Sequence, residues 1–284
     1  MQICNHVYYV TGGASGLGAA TVELLHSLGA YVGILDLDLD RAEKLAAQLN
    51  ATTASALPGN SSTTGQGNAP RAAAFRVDVC SEEDVVAALA GCDRLWTDVP
   101  VGGVVNCGGV GMAGKVINAE GEPFDLETFR KVVDINLIGT FNVTRLVAAR
   151  LVRDLAKPIP KPTASTKELG VIINTASAAA LEGQSGQAAY AASKGGVLSM
   201  TLPLSRDLAW FGIRSMTLTP ALFSTPMMQQ LPDRAKAQIL KSAEFPVRFG
   251  EPDEFAHAVK MVIENPMLNG SYIRLDGATR LGKL

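Results

Sequence analysis

Val7-Tyr8-Tyr9-Val10-Thr11-Gly12-Gly13-Ala14-Ser15-Gly16-Leu17-Gly18 is the stretch that decides the fold. Its first five residues are apolar, aromatic or β-branched and read as a short buried strand. Gly12, Gly16 and Gly18 follow at once. Ala19 to Leu28 then repeats apolar residues at helical spacing and stops at Gly29. Strand, glycine turn and helix form the setting in which backbone N–H groups and a helix N-terminus hold a pyrophosphate. Gly12 permits the tight turn, Gly16 lets the backbone approach a phosphate, and Gly18 lets the helix pack on the sheet. The spacing is Gly-x-x-x-Gly-x-Gly rather than Gly-x-Gly-x-x-Gly. An ordinary turn would also carry glycines, but the flanking strand and helix favour the phosphate reading.

Working outward, Tyr31 to Leu35 reads as a second strand, closed by Asp36. A carboxylate about 20 residues beyond the glycines suits the hydroxyls of an adenosine ribose and repels a 2′-phosphate. The residue before Ser15 is Ala14, so no base waits there for such a phosphate. NAD is therefore expected over NADP. Asp38 and Asp40 are close rivals for the ribose, and any of the three acids can instead cap the helix that follows, expected over Arg41 to Leu49. Residues 51–70 hold no charged side chain and are rich in Thr, Ser, Gly and Asn, which reads as a flexible surface insertion.

Further strands are expected over Ala72–Val77, Val101–Val105, Val171–Ser177, Ile213–Leu218 and Ser271–Leu275, with helical segments between them. The alternation predicts an α/β protein: one Rossmann-like, doubly wound parallel sheet of about seven strands with helices on both faces, in a single domain over 1–284. In such sheets ligands sit at the carboxyl ends of the strands. Asp78 and Val79 end the third strand, where an adenine edge would lie. Asn106, Cys107 and Gly108 end the fourth, and small residues there admit a nucleotide. Pro220, Phe223 and Thr225 belong to the loop after the sixth. Residues 115–124 and 222–245 are expected as loops on the substrate side.

Tyr190 and Lys194 are four apart and share a helix face. A free phenol titrates near ~10. An ammonium one turn away favours the phenolate, which would make Tyr190 an acid/base at working pH. Ser177, beyond a strand thirteen residues earlier, could hydrogen-bond the same oxygen. Taken singly these residues have plain structural readings: Ser177 as a cap, Tyr190 and Lys194 as a surface pair. Asn136, inside an apolar helix, reads as a satisfied core amide that could also kink the helix and hold a water.

Composition sets the outer limits. With 47% hydrophobic and 18% charged residues the chain can bury a sizeable core. A net charge of -2 gives no reason to expect nucleic acid as a partner. Cys4, Cys80, Cys92 and Cys107 lack metal-type spacing and His6, His26 and His257 are scattered, so no metal site is expected and an intracellular setting with reduced thiols is. No apolar run approaches ~20 residues, so no membrane span is expected. The early strand at Val7 leaves little room for a mitochondrial presequence, and mitochondrial matrix and cytoplasm both stay open.

In order, Thr11 to Gly18, Asp78-Val79, Asn106 to Gly109, Asn136, Ser177, Tyr190 and Lys194 resemble the pattern of the short-chain dehydrogenase/reductase family along essentially the whole chain. The segments Gly183 to Tyr190 and Ile263 to Gly270 are similar to its type II 3-hydroxyacyl-CoA dehydrogenase branch, also described as a type 10 17β-hydroxysteroid dehydrogenase. The resemblance implies a homotetramer that oxidises secondary alcohols to ketones with NAD, on acyl-CoA or steroid-type substrates. It assigns Tyr190 as proton acceptor, with Lys194 lowering its pKa and holding the nicotinamide ribose. Ser177 orients the substrate oxygen, and Asn136 holds a proton-relay water. Ser15 and Leu17 meet ribose and phosphates, and Asp36 meets the adenosine ribose. Asp78 and Val79 meet adenine, Cys107 lies along the adenosine side, and Phe223 and Thr225 sit near the nicotinamide. Three departures stand out. Gly108 replaces an alanine, the 51–70 insertion is foreign to the branch, and Glu120 and Glu122 stand where the acyl-CoA enzyme carries lysines. An acidic loop is a poor host for CoA phosphates. Two alternatives therefore stay open: an oxidoreductase of secondary metabolism, and a dual-role scaffold subunit of a protein assembly.

Overall fold

In the computed structural model the described residues are 1–56, 69–229, 236 and 240–280. Residues 57–68 of the 51–70 insertion, and most of 230–239 in the 222–245 loop, lie outside them. The elements run β1 (Val7–Thr11), α1 (Gly16–Ser27), β2 (Tyr31–Asp36), α2 (Leu39–Ala56), β3 (Ala72–Arg76), α3 (Glu82–Leu95) and β4 (Val101–Asn106). They continue with α4 (Leu126–Val133), a π-helical turn (Asp134–Ile138), α5 (Gly139–Val152), β5 (Gly170–Thr175) and a 3-10 turn (Ala178–Ala180). The last are α6 (Ala188–Ala209), β6 (Ile213–Pro220), α7 (Pro226–Gln229), α8 (Pro252–Glu264) and β7 (Tyr272–Leu275).

All seven strands join one parallel sheet in the order β3-β2-β1-β4-β5-β6-β7. The order reverses direction between β1 and β4, which opens a crevice at their carboxyl ends. Side chains alternate across β1. Tyr8 and Val10 pack with Val22, Leu25, Phe255 and Val259 on one face. Val7 and Tyr9 pack with Val85, Leu89, Val143 and Val147 on the other. Each fully buried side chain of this size contributes about 1.5–3 kcal/mol, so the two apolar layers hold the sheet between them.

Two helices differ from expectation. α2 runs to Ala56, seven residues past the expected end, because no glycine or proline stands before Pro58 to stop it. Leu126–Val152 is continuous through the π-helical turn and, by length and composition alone, long and apolar enough to cross a membrane. It is half buried, with Val143, Val147 and Leu151 in the second apolar layer, which makes it a core helix of this sheet.

Arg214, buried at the start of β6, ties the far edge together. Its guanidinium meets Glu168 at 2.6 Å and donates to the carbonyls of Val262, Ile263 and Leu268 at 2.8, 2.9 and 2.7 Å. It thereby satisfies the end of α8, whose last carbonyls have no partner within the helix.

Candidate active site

At the β1–β4 crevice lies a cavity of about 540 Å³. Its floor is the first glycine turn, and Gly12, Ser15, Gly16, Leu17 and Gly18 all line it. Close approach explains two of the glycines. A Cβ on Gly12, whose φ is +59°, would stand 2.8 Å from the Gly108 Cα, so the loops after β1 and β4 are pressed together. A Cβ on Gly18 would stand 2.1 Å from the Gly12 carbonyl oxygen. Thr11 Oγ1 accepts from the Gly108 N–H at 3.1 Å and pins the same junction.

One side of the cavity is built from β2 and β3. Asp36 lines it, and its two carboxylate oxygens accept from the N–H groups of Ala14 at 2.9 Å and Asp38 at 3.0 Å. The acid is thus aimed back over the glycine turn. Asp38 accepts from the Arg41 N–H at 3.1 Å, which makes it the cap at the start of α2; neither it nor Asp40 lines the cavity. Asp78 and Val79 line the wall beyond, with the Val79 carbonyl held by Asn142 at 2.9 Å.

The other side carries the chemistry. Ser177, Tyr190 and Lys194 all line the cavity. Ser177 caps the 3-10 turn, accepting from the Ala179 N–H at 3.1 Å, and its side chain also hydrogen-bonds the Tyr190 phenol. Ser177 therefore caps the turn and lines the cavity at once. Lys194 is buried, donates to the Thr175 carbonyl at 2.9 Å, and stands 6.0 Å from the centre of the Tyr190 ring. Pro220, Phe223 and Thr225 form the roof.

The acid–base balance departs from the expectation drawn from spacing. Burial raises the Tyr190 phenol, and the Ser177 hydrogen bond opposes it. The same burial pushes Lys194 down to about 8, with Cys107 opposing. A dry pocket disfavours the charged form of each group, so the phenol lies above its ordinary value and the ammonium below its own.

Two expected site residues, Asn106 and Asn136, do not line the cavity. Asn106 donates to Thr144 Oγ1 at 3.1 Å and to Asn174 Oδ1 at 2.8 Å inside the sheet. Asn136 is buried in the π-helical turn, which is the expected kink. Its amide is spent on Val110, accepting from the N–H at 2.8 Å and donating to the carbonyl at 2.9 Å, and on Ser193 Oγ at 3.1 Å. Both amide hydrogens are thus used, its main-chain carbonyl accepts from Thr140 at 2.7 Å, and each of its oxygens has a second lone pair. Cys107 lines the cavity, and its sulfur accepts from Thr175 Oγ1 at 3.7 Å. Burial pushes its thiol up to about 11, with Lys194 opposing, so it is not a thiolate.

Thr175 and Ser193 were missed. Ser193 bridges Asn136 to the Tyr190 carbonyl, donating to the latter at 2.8 Å. A hydroxyl at a strand's carboxyl end, and a serine one turn after a candidate tyrosine, were the available signals. The acidic loop at 115–124 does not line the cavity.

Bare backbone at the glycine turn, a carboxylate at one end and a hydroxyl–phenol–ammonium group at the other fit a dinucleotide lying across the crevice. A family model described as short chain dehydrogenase matches residues 6–236, and the chain belongs to that family of oxidoreductases, which act on CH–OH donors. Within it, the chain is 46% identical over 276 residues to the 3-hydroxyacyl-CoA dehydrogenase type-2 of Homo sapiens, covering 97% of this chain and 95% of that one. A solved 3-hydroxyacyl-CoA dehydrogenase type-2 from Mycobacterium avium shares its fold at a TM-score of 0.82 and 37% identity, covering 98% of this chain and 97% of that one. A 3-ketoacyl-(acyl-carrier-protein) reductase from Brucella melitensis, solved in complex with NADH, matches at a TM-score of 0.73 and 26% identity, covering 97% and 98%. The cofactor is a nicotinamide dinucleotide, and the substrate is a small molecule.

Proposed function

We propose that the protein oxidises a secondary alcohol to a ketone, reversibly, with NAD, and that its substrate is a 3-hydroxyacyl-CoA or a similar hydroxy compound. The observation that carries this reading is the meeting of Ser177, Tyr190 and Lys194 at one end of a cleft whose other end is lined by Asp36. The nicotinamide, when bound, supplies the hydride acceptor. Ser177 holds the alcohol oxygen beside Tyr190, and Tyr190 takes its proton. A lone phenolate is costly in this pocket. Paired with the Lys194 ammonium it costs less, so the two groups titrate as a unit. Asn136 and Ser193 hold the loop at Gly109 and Val110 against Lys194.

NAD over NADP rests on Asp36. One of its oxygens is held by the Ala14 N–H in the glycine turn and the other by the Asp38 N–H, a carboxylate that suits ribose hydroxyls and repels a phosphate. Ser15, Gly16 and Leu17 would hold the pyrophosphate, Asp78 and Val79 the adenine, and Pro220, Phe223 and Thr225 the nicotinamide side. A homotetramer belongs to the same reading, and analytical ultracentrifugation tests it.

A second reading keeps the chemistry and drops CoA. The loop bearing Glu120 and Glu122 is fixed by Asn118, which donates to the Glu122 carboxylate at 3.0 Å and accepts from its N–H at 2.8 Å. A fixed acidic loop, though outside the cavity lining, disfavours a triphosphorylated carrier that passes over it. Absorbance at the NADH band, with NAD and a panel of 3-hydroxyacyl-CoAs, steroids and simple secondary alcohols, separates the two readings. Faster turnover of CoA esters supports the first, and turnover of free alcohols alone supports the second. No reduction of NAD by any member would contradict both.

A further inference from the structure

Glu182 lies five residues beyond Ser177 and eight before Tyr190, in the segment that joins them. Its carboxylate is far from the cofactor floor, yet it is gripped by two guanidinium groups. Arg274, from β7, donates to Glu182 Oε1 at 2.8 Å, and Arg280 Nε stands 3.5 Å from the same oxygen. Both arginines also meet Asp276: Arg274 through its Nε, and Arg280 at 3.2 Å. Asp276 is 10% exposed, and Glu182 and Arg274 are 22% and 23% exposed. Two acids and two bases thus form one compensated, largely buried network, a geometry in which ion pairs hold position better than isolated surface pairs do.

The network has a second arm. The Leu275 carbonyl accepts from the Ala221 N–H at 3.0 Å, at the root of the loop that carries Phe223 and Thr225. The strand end at Arg274–Asp276 is therefore bonded both to the Ser177–Tyr190 segment and to the roof of the cleft. We propose that Glu182, through Arg274, is a positioning residue that sets Ser177 against Tyr190 and couples that spacing to the roof loop. This rests on the dehydrogenase reading above.

The test combines hydrogen exchange with kinetics on the full chain, using 3-hydroxybutyryl-CoA and 2-propanol as alcohols. Glu182→Gln, Arg274→Gln and the double variant form the cycle, with Tyr190→Phe as control. Amides of 178–187 are expected to exchange faster in Glu182→Gln. Its kcat is expected to fall about 10-fold, as a small misplacement of a reacting group does, while KM for NAD is unchanged. The Arg274→Gln loss is not expected to add to it. If Glu182→Gln fails to fold, Arg280→Gln, which removes only an exposed arm, is expected to show the same faster exchange and a smaller loss of kcat. Unchanged exchange, additive losses, or a parallel loss in KM for NAD would each overturn the proposal. If Tyr190→Phe is inactive while Glu182→Gln turns over normally, the positioning role alone fails. If Tyr190→Phe turns over normally, or wild-type protein turns over neither alcohol, the underlying reading fails and the network is only a structural brace.

Discussion

The Lys194 ammonium is held by the Thr175 carbonyl at 2.9 Å and stands 6.0 Å from the centre of the Tyr190 ring, with both side chains in the wall of one cavity. The proposed proton transfer depends on how these two share a proton. Burial lowers Lys194 from 10.5 to about 8, so the ammonium is less favoured than in water yet still the major form at neutral pH.

That shift has a measurable sign. The unfolded chain binds the Lys194 proton more tightly than the folded one, so stability rises with pH between about 8 and 10.5, and below about 8 the full penalty is present. Lys194→Met should lack this dependence. Denaturant titrations of both proteins from pH 7 to 10.5 should show wild type gaining stability relative to the variant across that window. Parallel curves would contradict the shift.

Asp36→Ala should weaken NAD by about 10- to 100-fold, the loss of charged hydrogen bonds to two hydroxyls, and weaken NADP far less. The ratio of kcat/KM for the two cofactors is the measurement. An unchanged ratio would move cofactor choice to another residue of the cleft.

Gly18→Ala places a methyl group 2.1 Å from the Gly12 carbonyl, a backbone atom that cannot swing away. The glycine turn must shift, at a cost of about 1–3 kcal/mol. Thermal unfolding should show the loss, and NADH fluorescence should show weakened binding. Normal binding in a stable variant would mean that the turn does not hold the dinucleotide.

Arg214→Met leaves Glu168 only the Met1 ammonium, at 3.0 Å, and uncaps the end of α8. Breaking such a pair from one side costs about 3–5 kcal/mol. Chemical denaturation should show a lowered midpoint, while the cleft residues stay in place. A midpoint equal to wild type would mean that the site admits water.

The fold was legible because its signals are local. β1 is a run of β-branched and aromatic residues, and the glycines that end it are followed at once by helical periodicity. Seven such strands, each feeding a helix or loop, leave few topologies open. Ser177, Tyr190 and Lys194 were legible because a strand end and an i, i+4 pair define where side chains must go. What was not legible depended on packing at a distance. Asn106 and Asn136 sit at positions that suggest the site, yet the Asn106 amide nitrogen is turned to Asn174 and Thr144, and the Asn136 amide to Val110 and Ser193. Spacing also says that Tyr190 and Lys194 are neighbours, but not how dry their pocket is, so it overstated the ammonium's effect on the phenol. The end of α2 was misplaced because loss of charge was taken for loss of helix.

Tyr190→Phe tests the central claim most directly, with NADH fluorescence read beside steady-state turnover of the best alcohol in the panel. The phenylalanine keeps the ring and removes only the proton acceptor, so NADH should bind as in wild type while turnover falls by about 10²–10⁴-fold. Turnover within a few-fold of wild type, with the cofactor bound, would contradict the account.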